Sequence, residues 1–401
     1  MQRPVEKAPS ARGSRGESDR TSHADTGSAG EIVAQFEIRY TRFLDENGRA
    51  VRELPAFARD PDVMRPIYEH MVLTRALDRK AVALQRTGQL GTYPSSFGQE
   101  GTTVAIGAAM ARDDVLLGTY RETGAMLFRG VRIAEILQYW GGDEAGSDYR
   151  GPGAPRADFP ICVPIATHAP HAVGVAYAMK LRREPRVAVC ALGDGATSKG
   201  DFYEALNGAG VWQLPLVFVI VNNQWAISVP RSAQSHAETL AQKAIAAGIP
   251  AEQVDGDDAV AVYQAMRNAL SAARDGAGPH VVEALTYRLS DHTTADDASR
   301  YRSADELERR RALDPIARLR SHLERAKLWS EADERRLEEA TAARIEQAAA
   351  EFLALPPPPP EAMFDHLFAQ LPEALREQRD ALVAAAAAHR AETVSGEEDG
   401  Q

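Results

Sequence analysis

The sequence predicts an α/β protein: a parallel sheet covered by helices on both faces, with a C-terminal helical extension. Three observations predict it. Four short apolar runs, 114–118, 187–192, 216–221 and 281–286, have the length and composition of fully buried strands. Helix-patterned stretches lie between and around them, at 99–112, 170–183, 202–212, 236–247 and 258–274. Polar segments directly follow two of the strands, at the end of an open parallel sheet where ligands bind.

Along the chain, residues 1–30 hold Gly, Ser and charge with few large apolar side chains. Burial there cannot offset the entropy of ordering, so a disordered arm is expected. The α/β domain is expected to span 31–330. Within it, Phe202, Ala205, Leu206, Ala209 and Trp212 share one helical face, and Asp201 with Glu204 has the spacing of an N-terminal capping pair. A helical region is expected over 331–390. Ile345, Ala348, Phe352 and Leu355 recur there at steps of three and four, as in a helix packed along one stripe. Pro356–Pro360 reads as a stiff extended linker before a last helix at about 363–389, and 391–401 as a disordered tail.

Composition narrows the function. Of the 401 residues, 44% are hydrophobic and 26% charged, which excludes a wholly disordered chain. The net charge of −11 runs against nucleic-acid binding, which needs basic surface to displace counterions. Only Cys162 and Cys190 occur, too few for a disulfide framework or a cysteine zinc site, and both fall in apolar stretches. The longest plain apolar run has eight residues, Leu214 to Val221. A membrane-spanning helix needs about 20. No secretory signal is seen, and a cytoplasmic protein is expected.

The segment that carries chemistry is Gly193-Asp194-Gly195, then 26 residues, then Asn222-Asn223. Each half follows a buried strand, with one helix between. Glycines around Asp194 let backbone N–H groups approach a diphosphate closely. A carboxylate and an amide carbonyl are hard oxygen ligands suited to Mg²⁺, which is commonly held by few protein groups plus substrate phosphates. A lone Gly-Asp-Gly is most often a turn and is expected in roughly one chain in ten of this length; the pair in this spacing is far more specific. A nicotinamide-binding Rossmann site would want a third glycine where Ser198 stands.

Gly-Asp-Gly with a downstream Asn-Asn is the thiamin diphosphate signature. The string GDGATSKGDFYEALNGAGVWQLPLVFVIVNNQWAISVP resembles the alpha subunit of the decarboxylating component of 2-oxo acid dehydrogenases, as do GQEGTTVAIGAAM (98–110), TYRETGAMLFRG (119–130), AQKAIAAGIPAEQVDG (241–256) and TYRLSDHTTADDASRYR (286–302). The resemblance covers about residues 35–390 and implies the thiamin diphosphate-binding fold. It implies that Asp194, the Asn223 side chain and the Trp225 carbonyl ligate Mg²⁺, a position where the family often has Tyr. Gly195 and Ala196 would donate N–H groups to the diphosphate, with Tyr120 and Arg121 beside it, Arg meeting phosphate. The Val163 and Ile165 backbones would meet the aminopyrimidine ring. Arg288 and His292 would be catalytic, on a loop over the site, with His292 also near the cofactor and serving proton or acyl transfer.

Departures from the family pattern are informative. Pro94 stands where animal pyruvate enzymes have a histidine, and Thr293 where they carry a phosphorylated serine. Thr167 fits the potassium-binding stretch of branched-chain enzymes, but His168 does not. His168 and His171 are left without a role. The resemblance further implies a beta subunit that supplies a glutamate for the aminopyrimidine, an α₂β₂ assembly inactive without it, and a lipoyl domain of an acyltransferase as acyl acceptor. The expected substrate is pyruvate, with a branched-chain 2-oxo acid, 3-methyl-2-oxobutanoate, as alternative and acetoin cleavage third. Thr92, Tyr93 and Phe97 are expected to border the substrate. A subunit binding Mg²⁺ and diphosphate without catalysis is the alternative from another class.

Overall fold

The computed structural model describes residues 31–365 and 367–398. The expected arm at 1–30 lies outside the described residues, and residues 31–37 take no regular structure. Residues 38–401 form one unit, which includes the helices expected to follow residue 330.

Its centre is a six-stranded, all-parallel sheet in the order β1-β7-β8-β4-β3-β2. The strands are β1 (Tyr40–Thr41), β2 (Val115–Leu117), β3 (Ala188–Gly193), β4 (Leu216–Asn222), β7 (Ala251–Asp255) and β8 (His280–Leu285); a separate small antiparallel pair joins β5 (Trp225–Ala226) to β6 (Val229–Pro230). Before the sheet's centre come α1 (Pro61–Arg86), α2 (Glu100–Ala109), α3 (Thr123–Phe128), α4 (Ile133–Trp140) and α5 (His168–Arg182). Then follow α6 (Gly200–Trp212), α7 (Arg231–Gln234), α8 (Ala259–Arg274), α9 (Ala304–Arg311), α10 (Pro315–Arg325), α11 (Glu331–Leu353), α12 (Ala362–Asp365) and α13 (Glu373–Glu398).

Strand alternation sorts the core into two layers. Ala188, Cys190 and Leu192 of β3 with Leu216, Phe218 and Ile220 of β4 pack on α5 and α6. The intervening Val189, Ala191, Val217, Val219 and Val221 pack on α2 and α8. Both faces are thus covered, which is why β3 and β4 read as unbroken apolar runs. Ile345, Ala348 and Ala349 of α11 join a third cluster with α1 and α4, so this helix is part of the body.

Three expectations are corrected. The helix expected at 236–247 is a 3-10 segment confined to Ala241–Ala247. The N–H groups of Leu240 and Ala241 are taken at 2.8 and 2.9 Å by the buried Glu283 carboxylate, which fixes where it starts. Asp201 does not cap α6: the helix begins at Gly200, and Asp201 lies in its first turn beside Lys199. Residues 391–398, expected as tail, continue α13.

Candidate active site

Register brings the two polar motifs together. Gly193 pairs with Val221 across β3 and β4, so Asp194 and Asn223 emerge side by side at the carboxyl edge of the sheet. Between them opens a cavity of about 520 Å³. Its walls include Tyr120, Arg121, Val163, Ile165, Asp194, Gly195, Ala196, Asn223, Trp225 and His292. These come from five separate segments of the chain, and all are candidate site residues of the sequence analysis. Gly195 must be glycine because a Cβ there would sit 2.7 Å from the Ala226 Cβ. The loops themselves hold unusual backbone: Ala166, Gln224 and Ile227 have φ of 63, 74 and 56°. Such left-handed residues are costly outside glycine and persist where the surroundings enforce them.

Asp194 is 2% exposed, and burial pushes its carboxyl pKa up. It makes no ion pair within the described residues. Its one side-chain hydrogen bond is from Gln234 Nε2 to Oδ2 at 2.8 Å. A buried carboxylate with no ion pair of its own is characteristically paired with a cation when the site is loaded. Asn223 donates from Nδ2 to Gln99 Oε1 at 3.1 Å, and its Oδ1 accepts from the Trp225 N–H at 3.2 Å. Trp225 is held by its indole N–H on the Tyr287 hydroxyl at 3.1 Å. One carboxylate, one amide oxygen and one carbonyl form a set of hard oxygens that fits Mg²⁺. Among the described residues no group of three or more His, Cys, Asp and Glu gathers in a metal-binding cluster.

At the other side of the cavity, Arg121 donates to the Ser95 carbonyl at 2.6 Å and to the His292 carbonyl at 2.8 Å. Its Nη2 also meets His292 Nδ1 at 2.9 Å, and Arg288 Nη1 meets the same atom at 3.2 Å. Guanidinium groups only donate. Nδ1 therefore carries the lone pair, and the ring proton sits on Nε2. Burial, then the charges of Arg121 and Arg288, pushes the His292 pKa down to about 4. His292 is thus a neutral imidazole near pH 7, a hydrogen-bond donor through Nε2 rather than a stored cation.

Arg288 does not line the cavity. It is fully buried behind the wall, donating to the Ile227 carbonyl at 2.8 Å and the Tyr301 hydroxyl at 2.9 Å, with the Trp225 carbonyl 3.4 Å away. Burial, then Arg121, lowers its pKa to about 10, so it stays charged. From there it acts on Trp225, Ile227 and His292, and not on a bound group directly. His168 is also buried; its Nε2 bonds the Ala191 carbonyl at 2.8 Å and ties the 163–168 segment to β3.

Sequence reasoning missed Gln99, Trp140, Glu122 and Ile227, which line the cavity, and Gln234, which touches Asp194. Gln99 and Gln234 lie 124 and 40 residues from their partners, and no local spacing marks them.

Fold and site together define an α/β protein with an anion- and metal-compatible cavity at the carboxyl edge of a parallel sheet. Residues 68–361 match the dehydrogenase E1 component family, and the chain belongs to it. It is 42% identical over 336 residues to a 3-methyl-2-oxobutanoate dehydrogenase subunit alpha of Mycobacterium tuberculosis, covering 82% of this chain and 88% of that one. It is 39% identical over 345 residues to a pyruvate dehydrogenase E1 component subunit alpha of Staphylococcus aureus, covering 86% and 92%. The chain is an E1 alpha subunit of the 2-oxo acid dehydrogenase type, an oxidoreductase family dependent on thiamin diphosphate. Among the described residues no helix is long and apolar enough to cross a membrane.

Proposed function

We propose that this chain is the alpha subunit of a pyruvate dehydrogenase (acetyl-transferring), acting with a beta subunit in an α₂β₂ assembly and passing its acyl group to a lipoyl domain. The observation that carries the reading is the shared cavity of Asp194, Asn223, Arg121 and His292. Bound thiamin diphosphate supplies the electron sink for loss of CO₂ from a 2-oxo acid. The chain's own residues do the rest. Asp194, Asn223 and the Trp225 carbonyl hold Mg²⁺, and the N–H groups of Gly195 and Ala196 face the diphosphate. Arg121 adds fixed positive charge, while apolar Val163 and Ile165 flank the ring. His292 offers its Nε2 proton as a hydrogen bond during acyl transfer. The glutamate for the aminopyrimidine comes from the beta subunit, so the alpha chain alone is inactive.

Trp140 lines the same cavity as Thr92 and Pro94, and a residue of that bulk in a shared substrate cavity favours pyruvate over an acid with a larger side chain. The 42% identity to a 3-methyl-2-oxobutanoate enzyme supports the branched-chain acid as second reading. The test is production with the beta-type subunit and decarboxylation assays on both acids. Pyruvate should be preferred, and Trp140→Ala should move the ratio toward 3-methyl-2-oxobutanoate by about 10–100-fold. Preference for the branched acid in the unaltered protein would establish the second reading.

A further inference from the structure

Among the described residues, six buried side-chain polar atoms lack a hydrogen-bond partner, and two of them are Gln99 Nε2 and Gln234 Oε1. Both glutamines touch an expected metal ligand with their other amide atom. Gln99 Oε1 accepts from Asn223 Nδ2 at 3.1 Å; Gln234 Nε2 donates to Asp194 Oδ2 at 2.8 Å and to the Val229 carbonyl at 3.0 Å. Buried polar atoms are rarely left unsatisfied, since each then keeps its full desolvation cost. Both atoms are walled off from solvent, so each amide is held by the contact its other end makes with the expected ligand.

Their polarity is informative. An Asn amide is free to turn either its oxygen or its nitrogen to the cavity. Gln99 accepts from the nitrogen and the Trp225 N–H donates to Oδ1 at 3.2 Å, so the two together turn Asn223 Oδ1, with a lone pair to spare, toward a cation. At the facing ligand, Gln234 fixes Asp194 Oδ2 and leaves Oδ1 without a side-chain partner. Gln99 is 1% exposed and lines the cavity. Gln234 is held from behind by the Val229 carbonyl on the short β6 strand.

We propose that Gln99 and Gln234 are positioning residues: Gln99 orients Asn223 and Gln234 orients Asp194 for one divalent cation. The inference rests on the functional reading above but concerns two residues that reading does not use.

The test uses the full chain made with its beta-type subunit and saturated with thiamin diphosphate. Free Mn²⁺ is followed by electron paramagnetic resonance in the wild type, Gln99→Met and Gln234→Met. Residues orienting a metal ligand typically govern 10–100-fold in affinity. The Mn²⁺ Kd should therefore rise about tenfold or more in each variant, while kcat at saturating Mn²⁺ returns to within about threefold of wild type. Gln99→Glu keeps the oxygen that accepts from Asn223, so it should recover most of the lost Mn²⁺ affinity and also serves if the Met variant folds poorly. A Kd within about threefold of wild type in both Met variants, or a loss of kcat that excess Mn²⁺ does not restore, would overturn the proposal. Failure of the wild type itself to bind Mn²⁺ and thiamin diphosphate would sink the functional reading instead.

Discussion

Asp78 and Asp194 are both buried carboxylates, and burial raises both pKa values, yet the protein treats them in opposite ways. Asp78, on α1, accepts from the Tyr93 and Ser95 hydroxyls at 2.7 and 2.9 Å and from the Ser96 N–H and hydroxyl at 2.8 and 3.1 Å. Its capacity is used up, and its effect is to clamp the 93–96 segment. That segment presents the Ser95 carbonyl to Arg121. Asp194 receives one side-chain donor and keeps acceptor capacity in reserve. A saturated carboxylate holds structure; a bare one in a cavity is free to hold a ligand.

Exchanging each for its amide separates the two roles most sharply. Asp194→Asn should weaken Mg²⁺-dependent thiamin diphosphate binding by about a hundredfold or more, since it removes a ligand and not merely its support. Melting of the metal-free protein should not fall, because the substitution removes a buried charge. Asp78→Asn should do the reverse. It turns an amide toward hydroxyl and N–H donors and costs about 2–5 kcal/mol, read by denaturant unfolding. Equal loss of stability in both variants would erase the comparison.

A purely apolar control calibrates the scale. Phe218, fully buried between α5, α6 and the sheet, should cost about 3–5 kcal/mol on Phe218→Ala with no change in metal affinity.

His292 sharpens the comparison at the far wall of the cavity. Nuclear magnetic resonance should place its pKa near 4, and Arg121→Gln should raise it, since the Arg121 charge helps depress it. The sign follows from linkage: the unfolded ring binds protons at higher pH than the folded one, so His292 lowers stability as pH falls from about 6.5 toward 4. His292→Ala should impair transfer to lipoamide more than decarboxylation. Equal losses in the two assays would remove its role in transfer.

A last pair of pH curves concerns Asp257, whose pKa burial and then Asp255 push up to about 7. The folded carboxyl keeps its proton where the unfolded one loses it. Its stabilisation is therefore complete below about pH 4 and fades as pH rises through 7. Asp257→Asn should flatten that dependence, gaining stability relative to wild type at pH 8 and little at pH 4 in paired melting curves.

Much of this was legible in the sequence because burial on both faces leaves unbroken apolar runs, as in β3 and β4. Other parts left no such trace. Strand β7, Ala-Glu-Gln-Val-Asp, buries only Val254 and Asp255 and carries no apolar run. The 3-10 segment after residue 240 has a helical composition but is started by Glu283, a residue more than 40 positions away. Site residues carried by a local motif were visible; Gln99 and Gln234 reach their partners only through the fold. Arg288 was visible as a residue but not as a wall element, since sequence does not reveal that Ile227 and Tyr301 turn its guanidinium away from the cavity.

Asp194 and Asn223 are proposed to hold a divalent cation that anchors the diphosphate. Calorimetric titration of the assembled protein with thiamin diphosphate, with Mg²⁺ and with a chelator, tests it most directly. Binding should appear with Mg²⁺, vanish with the chelator, and be lost in Asp194→Ala and Asn223→Ala even with Mg²⁺ present. Undiminished binding in the chelator, or in both variants, would contradict it.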